Sequence, residues 1–425
     1  MKKYFYKLIS KYLSLFIRPD DASVELNPPS FPVSSLLPNS RVINCLSGDI
    51  PDLQDADYLI LNGSLHYEQD IVSFFRSLHG RCNHKARVAV LYYSSLWKPL
   101  VSLISLLGIR KRMSEQNWID HTDIANMLLL ADFEPVYTDC KIILPFYIPL
   151  LSNIVNRFLA PLPLLRSLCL VNILVARPVF KKTSKDLSVS IIVPARNEAG
   201  NIENIVKRIP RMGPDDEIIF VEGNSRDNTW EEIQRVIKKY NSSLNLRCLK
   251  QDGKGKADAV RKGFAQASKD IFMILDADLS VYPEDLPAFY RAICQDKAEF
   301  LNGSRLVYPH DGKAMRFCNM IGNKFFAEVF SYLVGQRFKD TLCGTKVISG
   351  ENYRKLEAHR SFFGEFDPFG DFDLILGAAR LCLKIREIPV RYHERTYGRT
   401  NINRWKHGFI LLGMVIFAGK KLKFI

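Results

Sequence analysis

Three times between residues 189 and 280, a short apolar run breaks off into a polar cluster. Residues 189–193 lead into Pro194-Ala-Arg196-Asn197-Glu198. Residues 217–221 lead into Glu222-Gly-Asn-Ser225-Arg-Asp227, and 271–275 into Asp276-Ala-Asp278. Helix-patterned segments follow: one through Ile209, one from Thr229, where Glu232 has the spacing of a capping box, and one over 254–267. Short buried strands alternating with helices imply a parallel sheet with crossover helices. In such sheets ligands gather beyond the carboxyl ends of the strands, where all three clusters fall.

The alternation also runs upstream. Residues 57–62 (DYLILN) and 87–93 (RVAVLYY) have the pattern of buried strands, with later strands at 133–143 and 170–179. Helical patterns at 68–79, 97–107 and 119–131 lie between them, and a polar joint at 181–186 separates the halves. A chain of 425 residues has room for two or three domains. The expectation is an α/β protein of two domains, 21–180 and 187–405, flanked by end segments 1–20 and 406–425.

Apolar residues make up 47% and charged residues 24%, which excludes wholesale disorder, collagen and a polytopic membrane protein. Nine scattered cysteines without a C-x-x-C pair fit a reducing compartment and argue against a disulfide framework or structural zinc. Ten of the fourteen excess positive charges sit in residues 1–18 and 404–425, which hold no acid. Basic ends interleaved with apolar residues suit an anionic membrane surface better than nucleic acid.

Phe5, Leu8, Ile9, Tyr12, Leu13 and Phe16 share one helical face, and Lys3, Lys7, Ser10, Ser14 and Arg18 another. Such a helix either lies in a membrane interface or packs on its own domain. Lys7 and Lys11 interrupt any secretory-signal pattern. Residues 408–419 are uncharged, but a span needs about 20 residues, so this stretch belongs on a membrane surface or in a core. Four prolines with Asn153, Asn156, Arg157 and Arg166 break the apolar stretch 142–176. The expected location is cytoplasmic, peripheral on the cytoplasmic face of the membrane.

Asp276 and Asp278 are spaced so that both carboxylates project to one side of an extended strand end. Hard oxygen donors of this kind suit Mg²⁺ or Mn²⁺, which also bind substrate phosphates and stabilise a leaving diphosphate. D-x-D alone is a weak signal; its company raises it. P-A-R-N-E, the Ser225/Asp227 turn, G-K-G-K-A-D and D-A-D-L-S occur in one order, each at a strand end or helix start.

Together these motifs resemble the GT-A fold of family 2 glycosyltransferases over 188 to about 405. Within that family the resemblance is to the polyprenyl- and dolichyl-phosphate sugar synthases. It is carried further by Asn302-Gly-Ser304-Arg305, Asp340-Thr-Leu-Cys343-Gly344-Thr-Lys346, Phe372-Asp373, Ile388-Pro389-Val390 and Arg395-Thr-Tyr-Gly398. The resemblance implies that Pro194, Arg196, Glu198 and Glu222 border the nucleotide-sugar. It implies that Asp276, Ala277 and Asp278 hold diphosphate and metal (Asp276 and Asp278 as ligands), and that Arg305 and Arg395 contact phosphates. Two positions depart from the family pattern. A second acid is missing after Glu222, and Asn401 stands where a lysine is common, with Arg399 nearby.

The upstream half resembles the later part of a class I methyltransferase fold, through YYSSLWKPL and QNWIDHTDIANMLLLADFE. The glycine-rich cofactor loop should follow its first strand, yet residues 23–30 (SVELNPPS) contain no glycine. Asn27-Pro28-Pro29 lacks the aromatic residue that closes the amino-methyltransferase tetrapeptide and comes too early in the chain. The expectation is a degenerate, methyltransferase-like Rossmann domain.

The expected activity is inverting, metal-dependent transfer of a sugar from a nucleotide-sugar to a membrane polyprenyl phosphate. A phosphate acceptor is already ionised and needs no base. A saccharide hydroxyl acceptor would need one, for which Asp371 or Asp373 is placed, Asp373 foremost. The rivals are transfer to a cell-surface glycan, a non-catalytic membrane-associated scaffold and an active methyltransferase.

Overall fold

The computed structural model describes residues 2–46, 49–107, 117–180, 186–309, 317–364, 370–395, 397 and 404–425. The chain forms two compact units, residues 1–181 with 419–425, and residues 182–418. Both are mixed α/β, each built on one sheet.

The first unit contains β1 (Ser23–Leu26), β2 (Ser40–Ile43), β3 (Tyr58–Asn62), β4 (Arg87–Tyr93), β5 (Phe133–Lys141) and β6 (Val171–Pro178). Its helices are α1 (Lys2–Leu13), α2 (Ile71–His79), α3 (Lys98–Leu106), α4 (His121–Leu130) and the single turn α5 (Leu151–Ile154). The sheet order is β2-β1-β3-β4-β6-β5. The first four strands are parallel, as the alternation implies, whereas β6 runs antiparallel to both β4 and β5. The all-parallel expectation therefore fails at one strand. Only short helical pieces lie in the connection between β5 and β6, and antiparallel pairing needs no crossover helix.

Val24, Leu26, Leu59, Leu61, Val88 and Val90 pack against Phe74, Phe75 and Leu78 of α2 and Ile124 and Leu128 of α4. Each such side chain contributes roughly 1.5–3 kcal/mol by burial. Asp70 caps α2 by accepting from Ser73 N, and Asp120 and Asp123 form a capping box on α4. After β1 the chain turns at Asn27, in the left-handed region at φ 48°, while its Oδ1 accepts from Cys45 N at 2.8 Å. Asparagine thus takes a conformation that glycine would adopt without strain.

Of the two readings of the N-terminal helix, packing on its own unit is the one observed. Ile9, Tyr12, Leu13 and Phe16 are buried, and the Phe16 ring lies 4.5 Å from that of Tyr137. The last residues of the chain complete the same region. Lys423 Nζ lies 2.9 Å and Lys141 Nζ 3.1 Å from Oδ2 of the buried Asp139. Burial pushes the Lys423 ammonium down to about 8, with the Asp139 charge acting against that shift. Among the described residues, no helix is long and apolar enough to cross a membrane.

The second unit contains β7 (Val189–Ala195), β8 (Glu217–Glu222), β9 (Asn245–Lys250), β10 (Ile271–Ile274), β11 (Phe300–Ser304), β12 (Lys346–Ser349) and β13 (Ile385–Pro389). Its helices are α6 (Ala199–Arg208), α7 (Thr229–Tyr240), α8 (Lys256–Gln266), α9 (Leu286–Cys294), α10 (Phe317–Val334), α11 (Gly350–Ala358) and α12 (Asp371–Arg380). A final helix, α13 (Arg404–Leu422), begins in this unit.

The sheet order is β13-β11-β12-β10-β7-β8-β9, with only β12 antiparallel to its neighbours. Val189, Ile191 and Val193 pack with Ile202, Ile205, Ile233 and Val236 of α6 and α7. On the opposite face, α8 sits directly on β7. A Cβ at Gly263 would come within 2.5 Å of Ile192 Cγ2, so glycine is what permits this approach. The expected Thr229/Glu232 capping box does not form. Thr229 N and Oγ1 instead donate to Asp227, and Glu232 pairs with Arg235.

Candidate active site

The order β10-β7-β8 places the three polar clusters side by side at the carboxyl ends of parallel strands. Asp276 follows β10, and its Oδ1 lies 2.6 Å from Nζ of Lys256 at the start of α8. Burial opposes both charges. The pair nevertheless holds Asp276 below and Lys256 above their ordinary ranges, helped at Asp276 by Lys346 and Arg395. A Cβ on Gly344 would collide with Asp276 Oδ2 and Lys256 Nζ, so a glycine backbone forms one wall of this pair.

Two residues on, Asp278 Oδ1 accepts from Ser280 N at 2.9 Å across a turn in which Leu279 has φ 55°. Arg395 Nη2 lies 2.6 Å from Asp278 Oδ2, and its Nη1 lies 3.8 Å from Glu198 Oε1. The segment carrying Arg395 is pinned close by. His393 N donates to Ser280 O at 2.9 Å, and its ring stacks on Tyr282 with centroids 3.7 Å apart. Glu198 is buried after β7 and accepts from Asn201 Nδ2 at 2.8 Å. Burial and then the Asp278 charge push its carboxyl up to about 7, with Arg395 pulling the other way.

The structure therefore joins Glu198, Asp276, Asp278 and Arg395 in one network. The other expected residues are placed differently. Pro194 is the sixth residue of β7, half-buried, and Ala277 is buried between the two aspartates. Arg196 is exposed beyond the end of β7. Glu222 is buried and its Oε1 accepts from Ser225 N at 2.5 Å, so the carboxylate closes its own turn. Asp227 meets the Tyr397 hydroxyl at 3.4 Å.

Arg305 follows β11, and its guanidinium fork is spent on the fully buried Asp340, through Nε at 2.7 Å and Nη2 at 2.9 Å. Asp373 is buried in the first turn of α12, with Arg360 Nε at 3.5 Å and Arg261 Nη1 at 3.7 Å. Its neighbour Asp371 is closer to the aspartate network. Lys346 Nζ, 3.1 Å from Asp371 Oδ1, is also among the cations that stabilise Asp276. Arg399 and Asn401 lie outside the described residues.

Lys256, Gly344 and Lys346 are the members that sequence reasoning left without a role. Their motifs, G-K-G-K-A-D and D-T-L-C-G-T-K, are visible in the sequence. Lys256 lies 20 residues before Asp276, and Gly344 and Lys346 lie 68 and 70 residues after it, on separate elements that no local pattern brings together.

Residues 190–350, which hold the network apart from Arg395 and α12, match the family model of Glycosyl transferase family 2. The chain is similar to dolichol-phosphate mannosyltransferase of Pyrococcus furiosus, at 38% identity over 123 residues, 28% of this chain and 34% of that protein. It is also similar to dolichol-phosphate mannosyltransferase of Saccharomyces cerevisiae, at 33% identity, covering 24% of this chain and 40% of that protein. These two matches span between a third and two-fifths of the relatives' lengths.

A longer match is to UDP-N-acetylglucosamine–dolichyl-phosphate N-acetylglucosaminyltransferase of Methanococcus voltae, at 28% identity over 51% of this chain and 91% of that protein. Among solved structures, glucosyl-3-phosphoglycerate synthase from Mycobacterium tuberculosis, in complex with Mn²⁺, uridine-diphosphate and phosphoglyceric acid, aligns with a TM-score of 0.40. That alignment has 16% identity and covers 56% of this chain and 78% of that one. With its paired aspartates at the strand ends and its match to the family model, this chain carries a domain of glycosyl transferase family 2.

Proposed function

We propose that this protein transfers a sugar from a nucleotide-sugar to a polyprenyl phosphate, with inversion at the anomeric carbon. The observation that carries the proposal is the Glu198–Arg395–Asp278 and Lys256–Asp276 network, whose acids and Lys256 lie within the family 2 segment and which Arg395 completes from beyond it. The acceptor class is supported by the relatives, two named for transfer to dolichol phosphate and one for transfer to dolichyl phosphate.

The donor set fits a divalent cation of the Mg²⁺ or Mn²⁺ kind. Asp276 and Asp278 offer hard carboxylate oxygens, and among the described residues no group of three or more His, Cys, Asp or Glu forms a protein-only cage. That balance suits an ion that shares its coordination with substrate phosphates and water. Asp276 and Asp278 would hold it, and when bound it would neutralise charge on the departing diphosphate.

The protein's own groups supply the rest. Lys256 favours the ionised form of Asp276, Arg395 pairs with Asp278, and both present cationic donors where a diphosphate would lie. The acceptor phosphate oxygen forms the new bond to the anomeric carbon as the bond to the diphosphate oxygen breaks, and a nucleoside diphosphate leaves. No proton needs to be abstracted, which agrees with Asp373 being held between two arginines. Arg305, bound to Asp340, serves to brace the end of β11 beside the site rather than to hold phosphate. The first unit we read as a methyltransferase-like scaffold without methyl transfer, on the evidence of its glycine-free turn at Asn27.

The test is transfer of radiolabelled sugar to undecaprenyl phosphate, over a panel of UDP- and GDP-sugars with Mg²⁺ or Mn²⁺. The expected result is a chloroform-soluble product that disappears with chelator and in Asp278→Ala. Donor binding without labelled lipid would sink the acceptor assignment and favour a saccharide hydroxyl. Failure to bind any donor would leave a scaffold as the better account.

A further inference from the structure

Two stretches of the first unit, 94–107 and 142–169, contain no acidic residue and are dominated by leucine, isoleucine and proline. In both, many of the large apolar side chains face solvent. No residue of α3 is buried, and Leu103, Leu106 and Leu107 are 51%, 68% and 63% exposed. Tyr147, Leu150, Phe158 and Leu164, in the connection between β5 and β6, are exposed as well. A helix on a soluble domain buries one apolar stripe; α3 buries none.

The two stretches meet where Trp97 Nε1 donates to Leu168 O at 2.9 Å. The helix α1 lies alongside. Its Tyr4 ring is 5.3 Å from that of Tyr147, its Phe5 ring 6.5 Å from that of Tyr93, and Lys11 lies within electrostatic reach of Arg157. The buried side of α1 faces its own unit, so its outer side carries the exposed row Lys3, Lys7, Lys11. An acid-free apolar surface is thus bordered by lysines at helical spacing, with exposed Lys98 at the start of α3.

We infer that this surface of the first unit lies on an anionic lipid bilayer. The α3 and 144–168 leucines would enter the boundary between headgroups and acyl chains, and the lysines would meet lipid phosphates. Charge complementarity selects this occupant. A second copy docking by the same patch would oppose lysine rows of like sign. Leucine is under-represented at the anchoring positions of protein interfaces. The inference moves the apolar part of the membrane contact from the chain ends, whose apolar residues are partly consumed in packing, to α3 and 144–168, and it holds whether or not the acceptor is a lipid.

The experiment is co-sedimentation of the full-length protein with phosphatidylcholine vesicles, with and without phosphatidylglycerol. Wild type should pellet with the anionic vesicles. Lys3→Glu/Lys7→Glu/Lys11→Glu should bind them roughly a hundredfold more weakly. Leu103→Glu/Leu106→Glu and, separately, Leu150→Glu/Leu164→Glu should release the protein, while thermal melting stays within a degree or two of wild type because all four sites are exposed. Wild type remaining in the supernatant would overturn the inference. So would leucine variants that pellet like wild type, or a wild-type dimer that these variants convert to monomer with vesicle binding unchanged. No sugar donor enters this assay, so its failure and failure of the transfer reaction are separate results.

Discussion

Arg395 Nη2 stands 2.6 Å from Asp278 Oδ2 while its Nη1 reaches to 3.8 Å from Glu198 Oε1. One guanidinium therefore holds together two acids that follow different strands and would otherwise repel. Arg395→Ala should cut sugar transfer by roughly 10²–10³-fold, the usual scale for removing one positioned charge donor. Arg395→Lys should recover part of it. Measuring kcat and donor KM for both variants checks this, and near wild-type transfer by Arg395→Ala would remove the residue from the mechanism.

Glu198 gives a pH signature. Burial and the Asp278 charge raise its carboxyl to about 7, so the folded state holds this proton more tightly than the unfolded chain. Its contribution to stability is complete below the ordinary carboxylate range and fades as pH rises towards about 7. In chelated, donor-free protein, Glu198→Gln should match wild type near pH 4.5. It should be the more stable above neutrality, by up to about 3 kcal/mol. Parallel melting curves across that window would contradict the assignment.

The buried Arg305–Asp340 pair predicts a stability phenotype rather than a binding one. Asp340→Asn strands a guanidinium and should cost about 3–5 kcal/mol, lowering the melting temperature of the unit by roughly 10 °C. If Arg305 instead served a substrate phosphate, the change would appear in donor or acceptor KM with melting unaltered.

Gly344 offers a test of geometry at almost constant stability. A Cβ there would push on Asp276 Oδ2 and Lys256 Nζ. Because displacement of about 1 Å at reacting groups can cost 10²-fold, Gly344→Ala should lose about that much transfer. Circular dichroism and melting should change little.

In the first unit, Asp139 is flanked by the buried ammonium groups of Lys141 and Lys423. Asp139→Asn should cost about 3–5 kcal/mol at neutral pH, since two cations lose their counter-ion. Lys423 already titrates at about 8, and lower still without Asp139, so the deficit should shrink as pH rises towards about 8 and level off above it. Urea titrations at two pH values decide it.

Much of this was legible from residues in order. The runs at 189–193, 217–221 and 271–275 became β7, β8 and β10 because short β-branched stretches that end in polar clusters have few other ways to be buried. The D-x-D pair was legible for the same reason. Partnerships across the fold were not. Nothing local to Arg305 announces Asp340, and nothing local to Asp276 announces Lys256 or Gly344. The choice of Asp373 over Asp371 turned on which acid of the first turn of α12 meets Arg360 and which meets Lys346, a matter of helix rotation. The reversed strand β6 was missed because a buried antiparallel strand has the same continuous apolar pattern as a parallel one.

The return of residues 419–425 to the first unit sets an order of events during synthesis. A ribosome delivers β1 to β6 long before it delivers Lys423, so the first unit waits with Asp139 lacking one of its partners until some 240 further residues have emerged. The second unit, by contrast, has every strand of its sheet translated by Pro389. The half made first is therefore the half finished last, and a ribosome stalled within α13 would hold a chain whose downstream sheet is complete and whose Asp139 still lacks Lys423.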